Sequence, residues 1–376
     1  MRLLISNFHP HKGGGHDVYL KTILSSTIRE HFQIFISSPK SSRFGEFAKN
    51  FNTPFYPNNY QISSLSFFAI IISVFKAIKI CLQIKPKIIH TNGGHDQFIF
   101  CLVNALLGTN IPIIRSHHTV KKYPDNVLNR FLYNNLTQLN IYQTIAQYKK
   151  TTTSLHSLEP RNSTTISHGV PLEKFRSPQI DPNFIKNFKI KETDFIFGSI
   201  AGIAPYKRVD IFLNAFKQAK IDHSLAKIVL AGDPAYIQPI LEEVKKLDLS
   251  RNFIFTRFLE DVSKVLPIFD VGFIMSDQIE SCSIATREMM AASIPIISSN
   301  FPGSEENITN EKDGIIVPAT DINMTSIAIE YFFHLDKERL NKMKCEVLKK
   351  ATKHFDQDKK MLELNKIYSK LLPEII

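Results

Sequence analysis

Short apolar runs alternate along this chain with longer stretches in which apolar residues recur at helical spacing. The run LLISNF is followed by helical spacing from His16 to Glu30 and then by a second run, FQIFISS. The alternation continues through PKIIHTN, IPIIRSHH and NIYQTIA. Such a pattern is typical of a parallel sheet with helices on its faces. It predicts an α/β domain over residues 1–170.

A second series of the same kind follows a break in the pattern. The stretch SHGVPLEKFRSPQIDPNF, which begins at Ser167, has three prolines and no clear periodicity, so it is predicted to link two domains. Strand-like runs then resume with DFIFGSIAG, AKIVLAGD, NFIFTRF, FDVGFIM, IPIISSN and GIIVP. We therefore predict a second Rossmann-like domain over residues 171–355 and a C-terminal helix, residues 356–376, that packs back onto the first domain.

Length and composition agree with two domains and indicate a cytoplasmic protein. At 376 residues and 43% hydrophobic content, the chain is too long for one compact core. Its first residues do not resemble a secretory leader. The four cysteines have no paired spacing that would indicate disulfides or a zinc ribbon; they are Cys81, Cys101, Cys282 and Cys345.

The first half of the chain carries the whole positive charge. Residues 1–180 hold 20 Lys and Arg against 7 Asp and Glu, whereas the remaining residues hold 26 against 28. The most apolar segment, Ser63 to Cys81, is interrupted by lysines and too short to span a membrane. Peripheral binding to an anionic membrane surface is therefore expected, and a merely solvated basic surface is the alternative. The candidate membrane contacts are Lys76, Lys79, Lys121 and Lys122.

A run of glycines follows the first predicted strand and opens the first predicted helix. Gly13, Gly14 and Gly15 would let a phosphate or a sugar approach the backbone closely. Their spacing differs from the GxGxxG pattern of dinucleotide-binding proteins. A plain flexible turn and a ligand loop are equally compatible with this segment alone.

Two glutamates eight positions apart suggest the shape of a ligand. Glu280 follows the predicted strand FDVGFIM, and Glu288 lies within the next predicted helix. At 1.5 Å per helical residue their carboxylates would be about 12 Å apart, too far for the roughly 5–9.5 Å pair of a glycosidase. They could instead bind the two ends of a nucleotide sugar, with its diphosphate at the helix N-terminus between them. Two solvated helix-end glutamates are the alternative.

Several motifs together resemble those of a known enzyme family. The segments SHGVPLEKF, AGIAPYKRVDIFLNAF, LAGDPAY and ESCSIATREMMAASIPIISSNFPGSEENI occur in the order and spacing seen in the retaining glycosyltransferases of family four. The last segment resembles that family's signature of two glutamates separated by seven residues. In the first half, GGGHDVYL resembles the family's glycine loop, and IPIIRSHH resembles the strand that ends in its active-site histidine. The resemblance implies the GT-B fold, two Rossmann-like domains whose parallel sheets face each other across a cleft.

The resemblance also implies roles for individual residues. Glu280 would bind hydroxyls of the donor sugar, and Glu288 would bind the ribose. Lys207 would neutralise the diphosphate, and His118 would lie beside the transferred sugar. Further donor contacts are expected from Gly14, Gly15, Arg208, Ser283 and Ile284. Because a fixed ammonium and a helix N-terminus can stabilise the charge on the leaving diphosphate, no metal is required.

The sequence departs from the family pattern at two places. Gly202 stands where family members usually have an arginine that shares the diphosphate with the lysine, and Arg208 would compensate only in part. The run Ser281-Cys282-Ser283 stands where a glycine and an aromatic residue are common. The missing cation motivates a second hypothesis, a degenerate non-catalytic subunit that binds glycans or scaffolds a partner transferase.

Histidines are concentrated in the basic half. Ten of the thirteen fall in residues 1–180, and their spacing matches no known set of metal ligands. Contacts with sugar and phosphate are therefore expected, and a metal site is not. The histidines considered are His9, His11, His16, His90, His95, His117 and His118.

Taken with the resemblance, the sequence predicts a retaining, metal-independent glycosyltransferase. It would move a sugar from a nucleotide-diphosphate sugar, its co-substrate, to a glycan or lipid-linked acceptor, without any further cofactor. The basic first domain suits an anionic envelope surface, so a role in cell-envelope polysaccharide or lipopolysaccharide synthesis is expected. A nucleic-acid partner is not, because the basic half lacks an aromatic-interleaved stripe and a recognised nucleic-acid module.

Overall fold

The chain forms two compact α/β units. The computed structural model describes residues 1–10, 15–60, 62, 67–120, 122–156, 158–176, 182–276 and 280–372. One unit comprises Met1–His168 together with the segment from Asp358 onward, and the other comprises Gly169–Gln357. They are called here the N-terminal and the C-terminal unit.

The N-terminal unit contains, in its described residues, a parallel sheet of seven strands. They are β1 (Arg2–Ser6), β2 (Gln33–Ser38), β3 (Phe55–Pro57), β4 (Ile88–Thr91), β5 (Ile113–His117), β6 (Leu139–Tyr142) and β7 (Ser163–Thr165). The order in the sheet is β3-β2-β1-β4-β5-β6-β7. The helices are α1 (Gly15–Ser25), α2 (Ile28–His31), α3 (Arg43–Asn50), α4 (Phe67–Ile84), α5 (Gly94–Leu107), α6 (Val127–Asn134) and α7 (Ile145–Ser154).

The C-terminal unit contains a second parallel sheet, with six strands in its described residues. They are β8 (Phe195–Ser199), β9 (Ala226–Leu230), β10 (Phe253–Phe255), β11 (Val271–Ile274), β12 (Ile296–Ser299) and β13 (Gly314–Val317), in the sheet order β10-β9-β8-β11-β12-β13. The helices are α8 (Leu172–Arg176), α9 (Pro182–Phe188), α10 (Val209–Gln218), α11 (Ile237–Lys246), α12 (Ile284–Ala291), α13 (Ser304–Asn307), α14 (Ile322–His334) and α15 (Lys337–His354). A last helix, α16 (Gln357–Lys370), lies near the end of the described chain.

Both faces of the N-terminal sheet are covered by helices. Leu3 and Ile5 of β1 belong to a buried cluster shared with α1, α2, α3 and α16. Leu4 belongs to another cluster, shared with α4, α5 and α6. Because successive side chains of a strand point to opposite faces, the two clusters lie on opposite sides of the sheet. Burial on both sides explains the continuous apolar runs of the central strands.

Each sheet reverses its strand order at one internal point. The reversal lies between β1 and β4 in the N-terminal sheet and between β8 and β11 in the C-terminal sheet. Ligands of open α/β sheets bind beyond the carboxyl ends of the strands at such a reversal. The loops that follow these four strands are therefore where functional side chains are expected.

The strand-like runs identified in the sequence all form strands. Two further strands, β3 and β7, have three residues each at the edges of their sheet and had no readable periodicity. The helical spacing from His16 to Glu30 is divided between α1 and α2.

Part of the proline-rich stretch belongs to the core of the C-terminal unit. Val170 and Phe175 are buried, and the Val170 N–H donates to the carbonyl oxygen of Phe355 at 2.7 Å. The stretch also contains α8 and the beginning of α9, whose first residue is Pro182. Proline is well tolerated in the first turn of a helix, so three prolines do not prevent short helices here.

Helix α4 covers most of the apolar segment noted in the sequence. Within the described ranges, none of the helices combines the length and the apolar character that a bilayer crossing requires.

Candidate functional site

A lysine and a glutamate meet where the C-terminal sheet reverses its strand order. Lys207 ends a 3-10 turn, Pro205–Lys207, in the loop after β8, and Glu280 follows β11. The Lys207 ammonium donates to one oxygen of the Glu280 carboxylate. Both side chains are largely buried, with exposed fractions of 10% and 15%. Loops of two adjacent strands thus hold a cation and an anion in contact.

Serine hydroxyls fix the position of the Glu280 carboxylate. Ser276 Oγ donates to the carboxylate oxygen that Lys207 contacts, at 3.1 Å. Ser299 Oγ, at the end of β12, donates to the Ser276 carbonyl oxygen at 2.7 Å. A carboxylate held in this way can recognise hydroxyl groups at set positions.

Side chains from further along the chain hold the loop after Glu280. Asn307 Nδ2 donates to the Cys282 carbonyl oxygen at 2.6 Å, and Arg287 Nε donates to Asn307 Oδ1 at 2.8 Å. Arg287 is 1% exposed, and its guanidinium lies 4.6 Å from the centre of the Phe355 ring. Neither Arg287 nor Asn307 was predicted from the sequence. The position of Arg287 inside the glutamate motif is the signal that could have identified it.

Ser283 and Ile284 form the beginning of α12. Ser283 has a left-handed backbone, with φ 45°, and its hydroxyl oxygen accepts from the Thr286 N–H at 3.4 Å. The first N–H groups of a helix have no partner within the helix and lie at the positive end of its dipole. This end of α12 can therefore bind an anionic group.

Glu288 is the fifth residue of α12. Burial raises the pKa of its carboxyl group to about 7, the Lys174 ammonium opposes this shift, and Asp261 adds to it. Lys174 and Asp261 themselves form an ion pair at 2.9 Å. Among the described residues, the Glu288 carboxyl group has no hydrogen-bond partner. A carboxyl group with a perturbed pKa and no structural partner is a candidate for ligand binding.

Gly202 and Arg208 both have a left-handed backbone. Gly202 has φ +82°, and a Cβ added there would meet no atom within 4 Å. Arg208 has φ 42°, and its guanidinium donates two hydrogen bonds to Asp210, at 3.0 and 2.9 Å. The family's arginine would thus find space at position 202 but an unfavourable backbone. The Arg208 side chain is held by Asp210.

In the N-terminal unit, Asn92 and His118 lie just beyond the ends of β4 and β5. Asn92 Nδ2 donates to the Ser6 carbonyl oxygen at 3.0 Å, which leaves Asn92 Oδ1 facing His118 Nε2 at 2.8 Å. Because an amide oxygen only accepts hydrogen bonds, Nε2 carries the imidazole proton and Nδ1 has a lone pair. Within the described part of the chain, Nδ1 is buried and has no hydrogen-bond partner.

The surroundings of His118 keep its imidazole neutral. Its ring stacks on that of His168 with centroids 5.6 Å apart, and the Tyr19 ring lies 5.4 Å away. Burial is the main cause that lowers the pKa of His118 well below its usual value, and three neighbouring histidines and Arg115 lower it further. A neutral imidazole with this tautomer can accept a hydrogen bond from a ligand hydroxyl.

Two of the other histidines considered in the sequence, His90 and His117, belong to the core. His90 makes hydrogen bonds to the Tyr368 hydroxyl at 2.6 Å and the Ser116 hydroxyl at 2.8 Å, and burial lowers its pKa to about 3. His117 stacks on Tyr142 with centroids 4.5 Å apart. No group of three or more His, Cys, Asp or Glu among the described residues could hold a metal ion.

Four residues named in the sequence predictions fall outside the described part of the chain. They are His11, Gly13, Gly14 and Lys121. Gly15, the end of the predicted glycine loop, is the first residue of α1.

Comparison with known proteins matches the C-terminal unit to a sequence family. Residues 181–350 match the family model described as "Glycosyl transferases group 1". That segment contains Lys207, Glu280 and Glu288. An Escherichia coli protein, UDP-Gal:alpha-D-GlcNAc-diphosphoundecaprenol alpha-1,3-galactosyltransferase, is 26% identical over 172 residues. The match covers 44% of this chain and 44% of that relative, less than half of either.

Solved structures match along nearly the whole chain. A glycosyltransferase from Rickettsia africae ESF-5 has a TM-score of 0.85 at 16% identity and is matched over 99% of both chains. Anabaena Alr3699/HepE, in complex with UDP and glucose, has a TM-score of 0.82 at 14% identity, over 98% of this chain and 100% of that chain. The fold is therefore GT-B, with two parallel-sheet α/β domains, as the sequence resemblance implied.

Proposed function

We propose that this chain is a retaining glycosyltransferase of family four that transfers a sugar from a nucleotide-diphosphate sugar to a glycan or lipid-linked acceptor. The observation that carries the proposal is the contact of Lys207 with Glu280 just before the N-terminus of α12. A cation suited to a diphosphate and a carboxylate suited to sugar hydroxyls lie together there. Both residues fall within the segment that matches the glycosyltransferase family.

Each part of the donor has a chemically matched group in the C-terminal unit. The diphosphate would replace Glu280 at the Lys207 ammonium and extend to the first N–H groups of α12. Glu280 would then accept hydrogen bonds from sugar hydroxyls. After this exchange the ammonium is paired with the diphosphate and the carboxylate accepts hydrogen bonds, so neither largely buried group is left without a partner, which would be costly. Glu288, in its ionised form, would accept from the ribose hydroxyls.

We assign the N-terminal unit's His118 to a hydroxyl of the transferred sugar. Its Nδ1 lone pair is the acceptor, and Asn92 holds the ring in the tautomer that presents it. Satisfying a buried acceptor that otherwise lacks a partner contributes on the order of 1–3 kcal/mol.

In the proposed reaction, the acceptor hydroxyl attacks the anomeric carbon on the face that the diphosphate leaves. The bond from the anomeric carbon to the phosphate oxygen breaks as the bond to the acceptor oxygen forms. The leaving phosphate oxygen takes the acceptor proton, and the configuration of the anomeric carbon is retained. Lys207 and the N-terminus of α12 stabilise the charge on the diphosphate, so the reaction needs no divalent cation.

We also propose that the acceptor belongs to the cell envelope and is met at an anionic membrane surface. The Escherichia coli relative is named for an acceptor linked to diphosphoundecaprenol. Residues 47–158 of this chain contain eleven Lys and Arg against two Asp and Glu. Asp96 and Arg115 are both buried and Asp125 pairs with Arg130, so nine lysines remain without an acidic residue to balance them. The surface of this region is therefore strongly basic.

Exposed apolar side chains accompany this charge on helices that cover one face of the N-terminal sheet. Those on α4, α5 and α6 are Phe68, Ile72, Phe75, Leu82, Leu106, Val127, Leu128 and Phe131. Basic and apolar side chains together are the combination by which proteins bind anionic membranes peripherally. Such binding should weaken between 0.1 and 1 M salt, because the Debye length falls from about 10 Å to 3 Å.

A non-catalytic glycan-binding subunit is the less favoured alternative, because the lysine, both glutamates and the histidine of the family pattern are present even though the arginine is absent. Thermal-shift measurement with UDP-glucose, UDP-galactose, UDP-N-acetylglucosamine and GDP-mannose tests the proposal. One of these donors should stabilise the protein more than its free nucleoside diphosphate does and be consumed with a product of unchanged anomeric configuration. Binding without turnover would support the alternative, and stabilisation by none of them would contradict the proposed donor site.

A further inference from the structure

A basic cavity lies beside the edge strand β3 of the N-terminal sheet. Its volume is about 650 Å³, and it is bounded by the segments around the ends of β2 and β3 and by α4. Its polar lining includes Lys40, Tyr56, Asn59, Lys76, Lys79 and Gln83. None of these residues belongs to the proposed donor site. A cavity of this size is typical of a small-ligand site.

The charge of the lining points to an anionic ligand. Lys40, Lys76 and Lys79 are exposed, none of them has an ion-pair partner among the described residues, and no acidic residue lines the cavity. Unpaired positive charge in a concave surface concentrates anions. Amide groups of Asn59 and Gln83 add neutral hydrogen-bond donors. Ammonium groups and neutral donors together suit a phosphate.

An apolar ridge of α4 continues into this cavity. Phe68, Ile72 and Phe75 are 78%, 55% and 67% exposed and lie three or four residues apart, so they share one face of the helix. Lys79 continues the same spacing and also lines the cavity. The basic cavity and the apolar ridge are therefore adjacent parts of one surface.

We propose that this cavity binds the phosphate of a lipid-linked acceptor while the ridge contacts the lipid chain. The proposal rests on the function proposed above, since it names the acceptor class for that activity. The phosphate supplies negative charge for the three lysines. A polyprenyl chain supplies apolar surface for Phe68 and Phe75, whose exposure to water would otherwise be unfavourable. Acceptor recognition is thereby separated from the donor residues.

Co-sedimentation with three kinds of vesicle tests the proposal in the absence of any nucleotide sugar. The vesicles contain phosphatidylcholine alone, phosphatidylcholine with phosphatidylglycerol, or phosphatidylcholine with a polyprenyl phosphate at the same surface charge. The wild-type protein should bind the polyprenyl phosphate vesicles most tightly. The double variant K76Q/K79Q should lose at least tenfold in that affinity, because each basic residue at an anionic surface contributes about 1 kcal/mol.

The matched control is K149Q/K150Q on α7, which removes the same charge outside the cavity. It should keep the preference for polyprenyl phosphate. Equal losses in the two double variants would indicate diffuse attraction, and equal wild-type binding to the two anionic vesicles would assign the cavity to ordinary lipid headgroups. Either result, or no binding to any vesicle, overturns the proposal.

Two further measurements keep the result interpretable. Circular dichroism and melting temperature should be unchanged in both double variants, because none of the replaced side chains is buried. The thermal shift that a nucleotide sugar produces should be the same in K76Q/K79Q as in the wild type. Failure of the donor function would therefore appear in the thermal shift, and failure of the acceptor cavity would appear in the vesicle binding.

Discussion

The Lys207 ammonium and the Glu280 carboxylate form an ion pair with each other. In the proposed donor complex, each of them would instead bind a different part of the nucleotide sugar. The diphosphate needs the ammonium, and the sugar hydroxyls need the carboxylate. Donor binding must therefore separate this ion pair. Removing one partner should consequently have different effects on the binding of the free nucleotide and on sugar transfer.

Replacing either glutamate by glutamine should distinguish the two ends of the donor. E280Q should leave the affinity for the free nucleoside diphosphate unchanged or severalfold higher, because Lys207 is no longer neutralised, and should lower transfer about 100-fold. E288Q should lower nucleoside diphosphate affinity at least tenfold through loss of a charge-assisted hydrogen bond. Isothermal titration and initial rates measure the two effects. Equal effects of both variants on nucleotide binding would contradict the assignment.

Transfer should survive complete chelation of divalent metal ions. K207A should nevertheless lower it by the ~2.7–4 kcal/mol typical of losing one electrostatic stabiliser. K217A, which removes an exposed lysine near the end of α10, is the control and should have wild-type rates. Rates measured in excess EDTA check the first expectation. Activity that disappears with EDTA and returns with manganese would contradict it.

Position 202 allows the missing cation to be restored. G202A and G202R should both destabilise the protein by about 1–2 kcal/mol, because φ at this residue is +82°. The space around the position is open, so only G202R should also bind the nucleoside diphosphate severalfold more tightly. Isothermal titration of both variants with the nucleoside diphosphate separates the effect of the added charge from the effect of the backbone strain. If they bind equally, an arginine at this position does not reach the diphosphate.

The proposed role of His118 Nδ1 as a hydrogen-bond acceptor can be tested by replacing His118 with asparagine or glutamine. An asparagine amide lies near the Nδ1 position and a glutamine amide near the Nε2 position, so H118N keeps the proposed acceptor and H118Q keeps the contact with Asn92. H118N should therefore bind the nucleotide sugar more tightly than H118Q, and both should bind the free nucleoside diphosphate as the wild type does. The reverse order in titration would reject the role of Nδ1.

Glu288 should make the protein less stable above neutral pH. Its carboxyl pKa rises from 4.5 to about 7 on folding. The folded state therefore binds the proton more tightly than the unfolded state does. The resulting contribution to the free energy of unfolding, about 3 kcal/mol at most, is fully present below pH 4.5 and is lost as the pH rises through 7. E288Q should thus melt at a higher temperature than the wild type at pH 8 and at a similar temperature at pH 4.5. Equal melting temperatures at pH 8 would argue against a carboxyl group that is desolvated in the folded state.

Much of the fold could be predicted from the sequence because the signals are local. A strand buried on both faces needs a continuous apolar run, and such runs mark the central strands of both sheets. The two glutamates could be identified from their spacing along the chain, and Lys207 from the resemblance of its segment to the glycosyltransferases of family four. β3 and β7 could not be identified in this way, because three residues at a sheet edge carry no periodicity and are defined by pairing with a distant strand.

The sequence by itself determined two parallel-sheet domains and the residue types of the candidate donor site. Only the tertiary structure decided which of those residues are partners. Lys207 and Glu280 are 73 residues apart and meet because β8 and β11 are neighbours in the sheet. Asn92 sets the tautomer of His118 because β1, β4 and β5 lie side by side. Side-chain partners depend on the order and register of the strands, which no local stretch of sequence specifies.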